Sequence, residues 1–289
     1  MDVVITGASR GIGHALALAL AHPSRSIVLV ARDAERLAAT ASAIETAGGC
    51  ARVIVGDLST RDQAAAVGRE LAETLEPGAT LIHNAGLWPT RLEHVDGGLE
   101  RAFVVNYVAP LLLQAPLLAA SKLARILTVG AGLMIKGRFS EAETPTGRDF
   151  SRFRTYATTK LAFAVAQRDV AVAHPDVDFL VIHPGVVRTD LGAAPGLVGA
   201  LLRLVKRGWE APEVCAERLK RVLEQERWSA RGEARWYFEE SAQPWPAVAD
   251  SSATRAAIRN TTARFVVTTM TPWETTNATR APSSRAEPT

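Results

Sequence analysis

Along the first two thirds of the chain, short unbroken apolar runs alternate with longer stretches in which apolar residues recur every three or four positions. The runs at 2–6, 26–31, 51–55, 80–83, 125–129 and 177–183 have strand length. They lack the apolar–polar alternation of a half-solvated strand, and such runs mark strands buried on both faces of a parallel sheet. Helical periodicity fills the gaps at about 13–21, 33–47, 60–75, 99–119 and 153–173. Asp33 is placed to cap the second helix, and Gly48-Gly49 and Pro77-Gly78 are stop signals. Pro110 and Pro116 are expected to kink the long apolar helix. Regular strand–helix alternation with right-handed crossovers predicts a doubly wound parallel sheet between two helical layers. After Arg188 the pattern weakens, with a helix expected at 212–226, a strand at 234–238 and a helix at 252–264.

Composition narrows this picture. The chain has 289 residues, 47% hydrophobic and 22% charged, with a mean hydropathy of +0.06. That suits a packed core and excludes a largely disordered chain. The reading is one domain over 1–267 and a disordered tail over 268–289, where Thr, Pro, Ser and Ala dominate. No apolar run is read as long enough to span a membrane, since the stretch at 109–120 holds a Gln and two prolines. The net charge is +3 and only five of the 33 basic residues are Lys. The arginines are spread among acids, so nucleic acid is not an expected partner. Cys50 and Cys215 are lone and far apart, which predicts no metal site and fits a reducing, cytoplasmic setting. A glycine-rich motif begins at Thr6, leaving no room for a signal peptide.

That motif, Thr6-Gly7-Ala8-Ser9-Arg10-Gly11-Ile12-Gly13, lies between the first strand and the first helix. Glycines there permit a tight turn and close approach of a phosphate, and the helix N-terminus offers free N–H groups and a positive dipole end. A dinucleotide-binding, Rossmann-type α/β fold follows as the expectation. The second strand ends at Ala31-Arg32, without the acid that would bind a ribose 2′-hydroxyl. Arg32, with Arg10 in the loop, can instead form charge-assisted hydrogen bonds to a 2′-phosphate, which favours NADP(H) over NAD(H).

The spacing GxxxGxG, rather than GxGxxG, resembles the short-chain dehydrogenase/reductase family. Further matches are Asp57, Asn84-Ala85-Gly86 with His83 in place of the family's first Asn, Asn106, Tyr156-Ala-Thr-Thr-Lys160 and Pro184-Gly185-Val-Val-Arg-Thr189. The long gap before Tyr156 and the segment Gly232-Glu-Ala-Arg-Trp-Tyr237-Phe238 resemble the retinol-dehydrogenase-like branch. The resemblance implies that Gly7, Ser9, Arg10, Gly11, Ile12, Gly13 and Arg32 surround the phosphates. It assigns Asp57 and Leu58 to the adenine, and Asn84, Ala85 and Gly86 to the adenosine ribose. Pro184, Gly185, Val187 and Thr189 would hold the nicotinamide.

The same resemblance makes Tyr156 the acid/base, Lys160 its partner and ribose ligand, and Asn106 part of a proton relay. Tyr156 and Lys160 stand four residues apart, on one helix face. A tyrosine pKa near ~10 is too high for a base at neutral pH, and an ammonium nearby is expected to lower it. The family's Ser at the end of the fifth strand is missing: Gly130 and Ala131 occupy its positions. Loss of such a donor typically costs ~10²–10³ in rate. Ser140, Thr144, Thr146, Ser151 and Thr155 lie in the following gap, and a hydroxyl folding back from it, such as Ser140, is one replacement.

Three functional classes stay open at this point. They are a ketone/aldehyde reductase or alcohol dehydrogenase, a non-redox enzyme of the same fold (cyclisation, isomerisation or elimination), and a non-catalytic NADP-binding protein. The intact Tyr156, Lys160 and Asn106 favour an enzyme. Leu87, Trp88, Pro89, Leu133, Met134 and a lid at about 190–210 are expected to wall an apolar small-molecule site. Both a homodimer and a monomer are compatible with the sequence.

Overall fold

A computed structural model of the protein describes residues 2–188 and 208–266. Thr189, the expected lid as far as residue 207, and the tail from 268 lie outside the described residues. The strands are β1 (Asp2–Thr6), β2 (Ser26–Ala31), β3 (Cys50–Val55), β4 (Ala79–His83), β5 (His94–Val95), β6 (Leu99–Glu100), β7 (Leu123–Val129), β8 (Asp178–His183), β9 (Ala234–Phe238) and β10 (Ser241–Gln243). Eight of them form one sheet in the order β10-β9-β8-β7-β4-β1-β2-β3. All its pairings are parallel except that of β10 with β9. The helices are α1 (Gly11–Ala19), α2 (Ala34–Thr46), α3 (Arg61–Thr74), α4 (Arg101–Phe103), α5 (Ala109–Ala119), α6 (Arg152–Ala173), α7 (Pro212–Leu223), α8 (Ala247–Asp250) and α9 (Ser252–Phe265).

Two apolar cores flank the sheet, which explains the unbroken runs. Ile5, Leu29, Leu127 and Leu180 pack with Leu16, Leu37, Ile44 and Leu219 in one of them. Their strand neighbours Val4, Val28, Ile126 and Val181 pack with Leu71, Tyr107, Leu113 and Leu161 in the other. Successive side chains thus enter opposite layers, and both must be apolar. The second helix starts as expected, with the Asp33 carboxylate accepting from the Arg36 N–H at 3.1 Å.

The long apolar helix departs from its expected form. Leu99–Glu100 pairs with His94–Val95 as a short antiparallel ladder. The helix then starts at Arg101, where the Glu100 carboxylate accepts from the Phe103 N–H at 2.7 Å. A π-helical segment over Val104–Val108 joins α4 to α5. Pro110, two residues beyond it, has no N–H to return to the Asn106 carbonyl, so the ladder is interrupted here. The continuous helix Arg101–Ala119 is long and apolar enough to cross a membrane, unlike the shorter stretch judged from sequence. In the fold it is a core helix, with 78% of its apolar window buried.

Candidate active site

A cleft of about 310 Å³ opens at the carboxyl ends of the parallel strands. Its first wall is the loop from β1 to α1. Gly7 has φ +68°, and a Cβ there would lie 2.9 Å from the Ala85 Cα. Asn84 ties this loop to β4: its Nδ2 donates to the Thr6 carbonyl at 2.9 Å and the Gly7 carbonyl at 3.2 Å. Thr6 Oγ1 accepts from the N–H groups of Asn84 and Ala85 at 3.0 and 3.1 Å. Gly7, Ser9, Arg10, Gly11 and Ile12 all line the cleft. Gly13 does not line it: it is buried beneath the loop. A Cβ at Gly13 would stand 2.5 Å from the Gly7 carbonyl oxygen, so its role is close packing rather than cofactor contact.

Farther along, Ala31, Arg32, Asp57 and Leu58 line one end of the cleft, and Asn84, Ala85 and Gly86 its middle. Asp57 is held by its own turn, its Oδ1 accepting from the Ser59 N–H at 3.0 Å. Sequence reasoning missed Ser59, Arg101, Val105 and His183, all of which line the cleft. For His183 a signal existed, since it directly precedes Pro184-Gly185 at the end of β8. Pro184, Gly185 and Val187 also line the cleft. The residues present fit a dinucleotide. A glycine turn heads a helix, two arginines flank the end of β2, and Ala31 puts no carboxylate there.

Tyr156 and Lys160 project from α6 into the same cleft. Lys160 Nζ donates to the Val129 carbonyl at 2.9 Å, and burial lowers its pKa to about 8. The Tyr156 hydroxyl is pushed well above its ordinary value by burial. The sequence-based expectation was a lowering by Lys160; the shift runs the other way, and its cause is burial. Trp88 stacks on the Tyr156 ring with centroids 4.3 Å apart and planes at 21°, while Phe153 meets Trp88 edge-on at 5.9 Å.

Asn106 sits in the π segment, 2% exposed. Its Oδ1 accepts from the Leu87 N–H at 2.7 Å. Its Nδ2 donates to the Leu87 carbonyl at 2.8 Å and to Thr159 Oγ1 at 3.0 Å. Asn106 therefore holds the turn after Gly86 to α6 and does not itself line the cleft. His83, the replacement in the Asn84-Ala85-Gly86 motif, is buried. Its Nε2 donates to Gln114 Oε1 at 2.8 Å. Gln114 and Gln167 exchange amide hydrogen bonds at 3.0 and 3.1 Å, and Gln167 Nε2 reaches Thr128 Oγ1 at 3.0 Å. Burial lowers the His83 pKa to about 4, so it is neutral and structural.

The end of β7 presents Gly130 and Ala131 to the cleft, with no hydroxyl. The gap that follows supplies none. Thr144 Oγ1 donates to Asp149 Oδ2 at 3.0 Å and accepts from the Ser140 N–H at 3.0 Å. Thr155 Oγ1 accepts from the Ser151 N–H at 3.1 Å. Ser140 is absent from the lining residues, so the suggestion that it folds back is not supported. Leu87 lines the cleft as expected, whereas Met134 is fully buried in the core.

Comparison with known proteins adds to this geometry. The family model described as short chain dehydrogenase matches residues 2–195. An uncharacterised oxidoreductase of Emericella nidulans is 33% identical over 215 residues, covering 70% of this chain and 77% of its own. A Streptomyces sp. (strain C5) protein with the provisional name daunorubicin C-13 ketoreductase is 31% identical, covering 66% and 67%. Human retinol dehydrogenase 13 is 29% identical, covering 74% and 69%. A crystal structure of a dehydrogenase/reductase from Sinorhizobium meliloti 1021 superposes with a TM-score of 0.62 at 25% identity, covering 83% of this chain and 94% of the other. One from Mycobacterium paratuberculosis, of an uncharacterised protein, gives 0.68 at 22% identity, covering 92% and 93%, and shares the fold. With its glycine loop, its Tyr156–Lys160 pair and these relatives, the chain belongs to the short-chain dehydrogenase family, in its retinol-dehydrogenase-like branch, whose members bind nicotinamide cofactors.

Proposed function

We propose that the protein is an NADPH-dependent oxidoreductase that interconverts a carbonyl group and an alcohol on an apolar small molecule, with Tyr156 as the acid/base. The observation that carries this reading is that Tyr156 and Lys160 share one cleft with the glycine loop, Arg10 and Arg32. When bound, the nicotinamide supplies or accepts the hydride. Tyr156, kept protonated by its burial, donates its hydroxyl proton to the carbonyl oxygen in the reductive direction. Lys160 is held by the Val129 carbonyl, beside Tyr156 in the cleft lining. Asn106 positions the Leu87 backbone, and Trp88 covers one face of the Tyr156 ring. Arg10 and Arg32 favour the 2′-phosphate of NADPH, because neither a carboxylate nor a bulky side chain stands at Ala31.

Fluorescence titration tests the cofactor. NADPH is expected to bind at least ten times more tightly than NADH, and Arg32→Asp to erase that preference through charge repulsion. Tighter NADH binding by the unmodified protein would sink the argument from Arg32. Absorbance of NADPH with a panel of ketones and aldehydes tests the reaction. A second reading, non-redox chemistry on the same fold, draws on the hydroxyl-free end of β7. It predicts product without consumption of NADPH.

A further inference from the structure

Among the side chains lining the cleft, the imidazole of His183 is used neither by the cofactor reading nor by the Tyr156–Lys160 pair. His183 closes β8 and lines the cleft with Gly130, Ala131 and Tyr156. Gly132 makes room for it: a Cβ there would stand 3.2 Å from both Cδ2 and Nε2 of the imidazole. Phe238 braces the ring edge-on, with centroids 4.8 Å apart. The His183 carbonyl accepts from the Glu239 N–H at 2.8 Å, which anchors its backbone. The ring itself is not satisfied: Nδ1 is buried and has no hydrogen-bond partner among the described residues. Burial lowers the pKa of His183, the nearby Arg218 adds to this, and Glu239 partly opposes it. The imidazole is therefore a neutral group with one donor and one acceptor nitrogen.

A buried polar atom without a partner costs about 1–3 kcal/mol. Nδ1 is closed off from the cleft, so the ring atom left for a ligand is Nε2, which no described residue hydrogen-bonds. The neighbouring end of β7 offers only Gly130, Ala131 and Gly132, so a polar substrate atom would find no side-chain hydrogen bond there. We propose that His183 is a substrate-binding residue whose imidazole hydrogen-bonds an oxygen of the bound carbonyl compound and orients it toward Tyr156. This rests on the carbonyl–alcohol reading above. It differs from a general-base role, since Tyr156 keeps the proton transfer.

The test compares His183→Phe, which retains an aromatic packed on Phe238, with His183→Gln, which restores a donor and an acceptor. With a ketone turned over by the unmodified protein, His183→Phe should lower kcat/KM at least tenfold, and His183→Gln should recover part of the loss. NADPH affinity should stay within twofold for both, which verifies folding. Ala131→Ser should raise the rate of the His183→Phe variant by a larger factor than it raises that of the unmodified protein. In parallel, ¹⁵N-histidine NMR follows the His183 ring in the protein with NADP⁺ as medium-chain ketones are added, a mixture that cannot react. Movement of the His183 nitrogens is expected. If His183→Phe turns over the ketone within twofold of the unmodified protein, the inference falls and the reductase reading stands. If the nitrogens move but no ketone is reduced by NADPH, the reductase reading falls and the binding role stands. If neither turnover nor movement occurs with any ketone, both fall.

Discussion

At the scale of single residues, Lys160 shows how the cleft trades stability for chemistry. Its pKa is lowered from 10.5 to about 8 by burial. Between those values the unfolded chain holds more protons than the folded one, so stability rises with pH across that window. The cost of burying the ammonium is fully present below pH 8, and amounts to about 3 kcal/mol. Lys160→Met is expected to stabilise the cofactor-free protein by about 1–3 kcal/mol at neutral pH, after the lost hydrogen bond to Val129 is counted. The gain should shrink as pH rises beyond 8. Urea unfolding at neutral and alkaline pH checks this, and an equal gain at both would disprove the burial cost. Tyr156 is shifted the other way, so it is an acid at neutral pH. Under the proposed acid/base role of Tyr156, reduction should hold its rate through neutral pH, whereas alcohol oxidation, which would draw on the tyrosinate, should accelerate with rising pH. Tyr156→Phe should lower turnover in both directions by at least 10², measured by NADPH absorbance.

At the scale of elements, the cleft depends on two joints that are easy to break. The first is the β1–α1 loop on β4, where Gly13 is closed in by Asn84 and the Gly7 carbonyl. Gly13→Ala is expected to push this loop out of place and weaken NADPH binding at least tenfold, as read by fluorescence titration. Binding within twofold would show that the loop can yield without losing the phosphate site. The second joint is the π segment, which brings Asn106 against both Leu87 and Thr159. The element pattern itself was legible, because short unbroken apolar runs differ from the helical recurrence every three or four residues. The π segment was not, since it forms where Pro110 breaks a ladder that also needs a packing partner. The β5–β6 ladder and β10 were also missed, since strands of two or three residues are too short to show a period.

At the scale of the whole molecule, the C-terminal elements are fastened to the sheet by polar contacts that no local pattern displays. Asp178 accepts from the N–H groups of Trp228 and Ser229, both at 2.9 Å, and from Ser229 Oγ at 2.8 Å. Arg125 pairs with Asp178 at 3.4 Å and lies 3.7 Å over the Trp228 ring. On the other side, the Tyr107 hydroxyl donates to the Ile258 carbonyl at 3.0 Å, joining α9 to the core helix. Asp178→Ala leaves two backbone donors and a hydroxyl without their acceptor and should destabilise the protein by about 2–4 kcal/mol. Chemical denaturation measures this, and a loss under about 0.5 kcal/mol would mean that water replaces the carboxylate fully. NADPH affinity should survive, since Asp178 stands at the opposite end of β8 from the cleft.

What the sequence determined by itself is the order of strands and helices, the glycine loop and the Tyr156–Lys160 spacing. These rest on local rules: unbroken apolar runs of strand length, a helical period of 3.6, a tight turn, a shared helix face. It also indicated that Gly130 and Ala131 bring no hydroxyl to the end of β7. Only the tertiary structure decided which charged groups lose water and which polar groups meet. Thus Lys160 is pulled down, Tyr156 pushed up, Asn106 turned to the Leu87 backbone, and His183 set beside Gly132 with an unpaired nitrogen. Burial and hydrogen-bond partners are properties of segments far apart in sequence, and they exist only once the sheet has closed over its two cores.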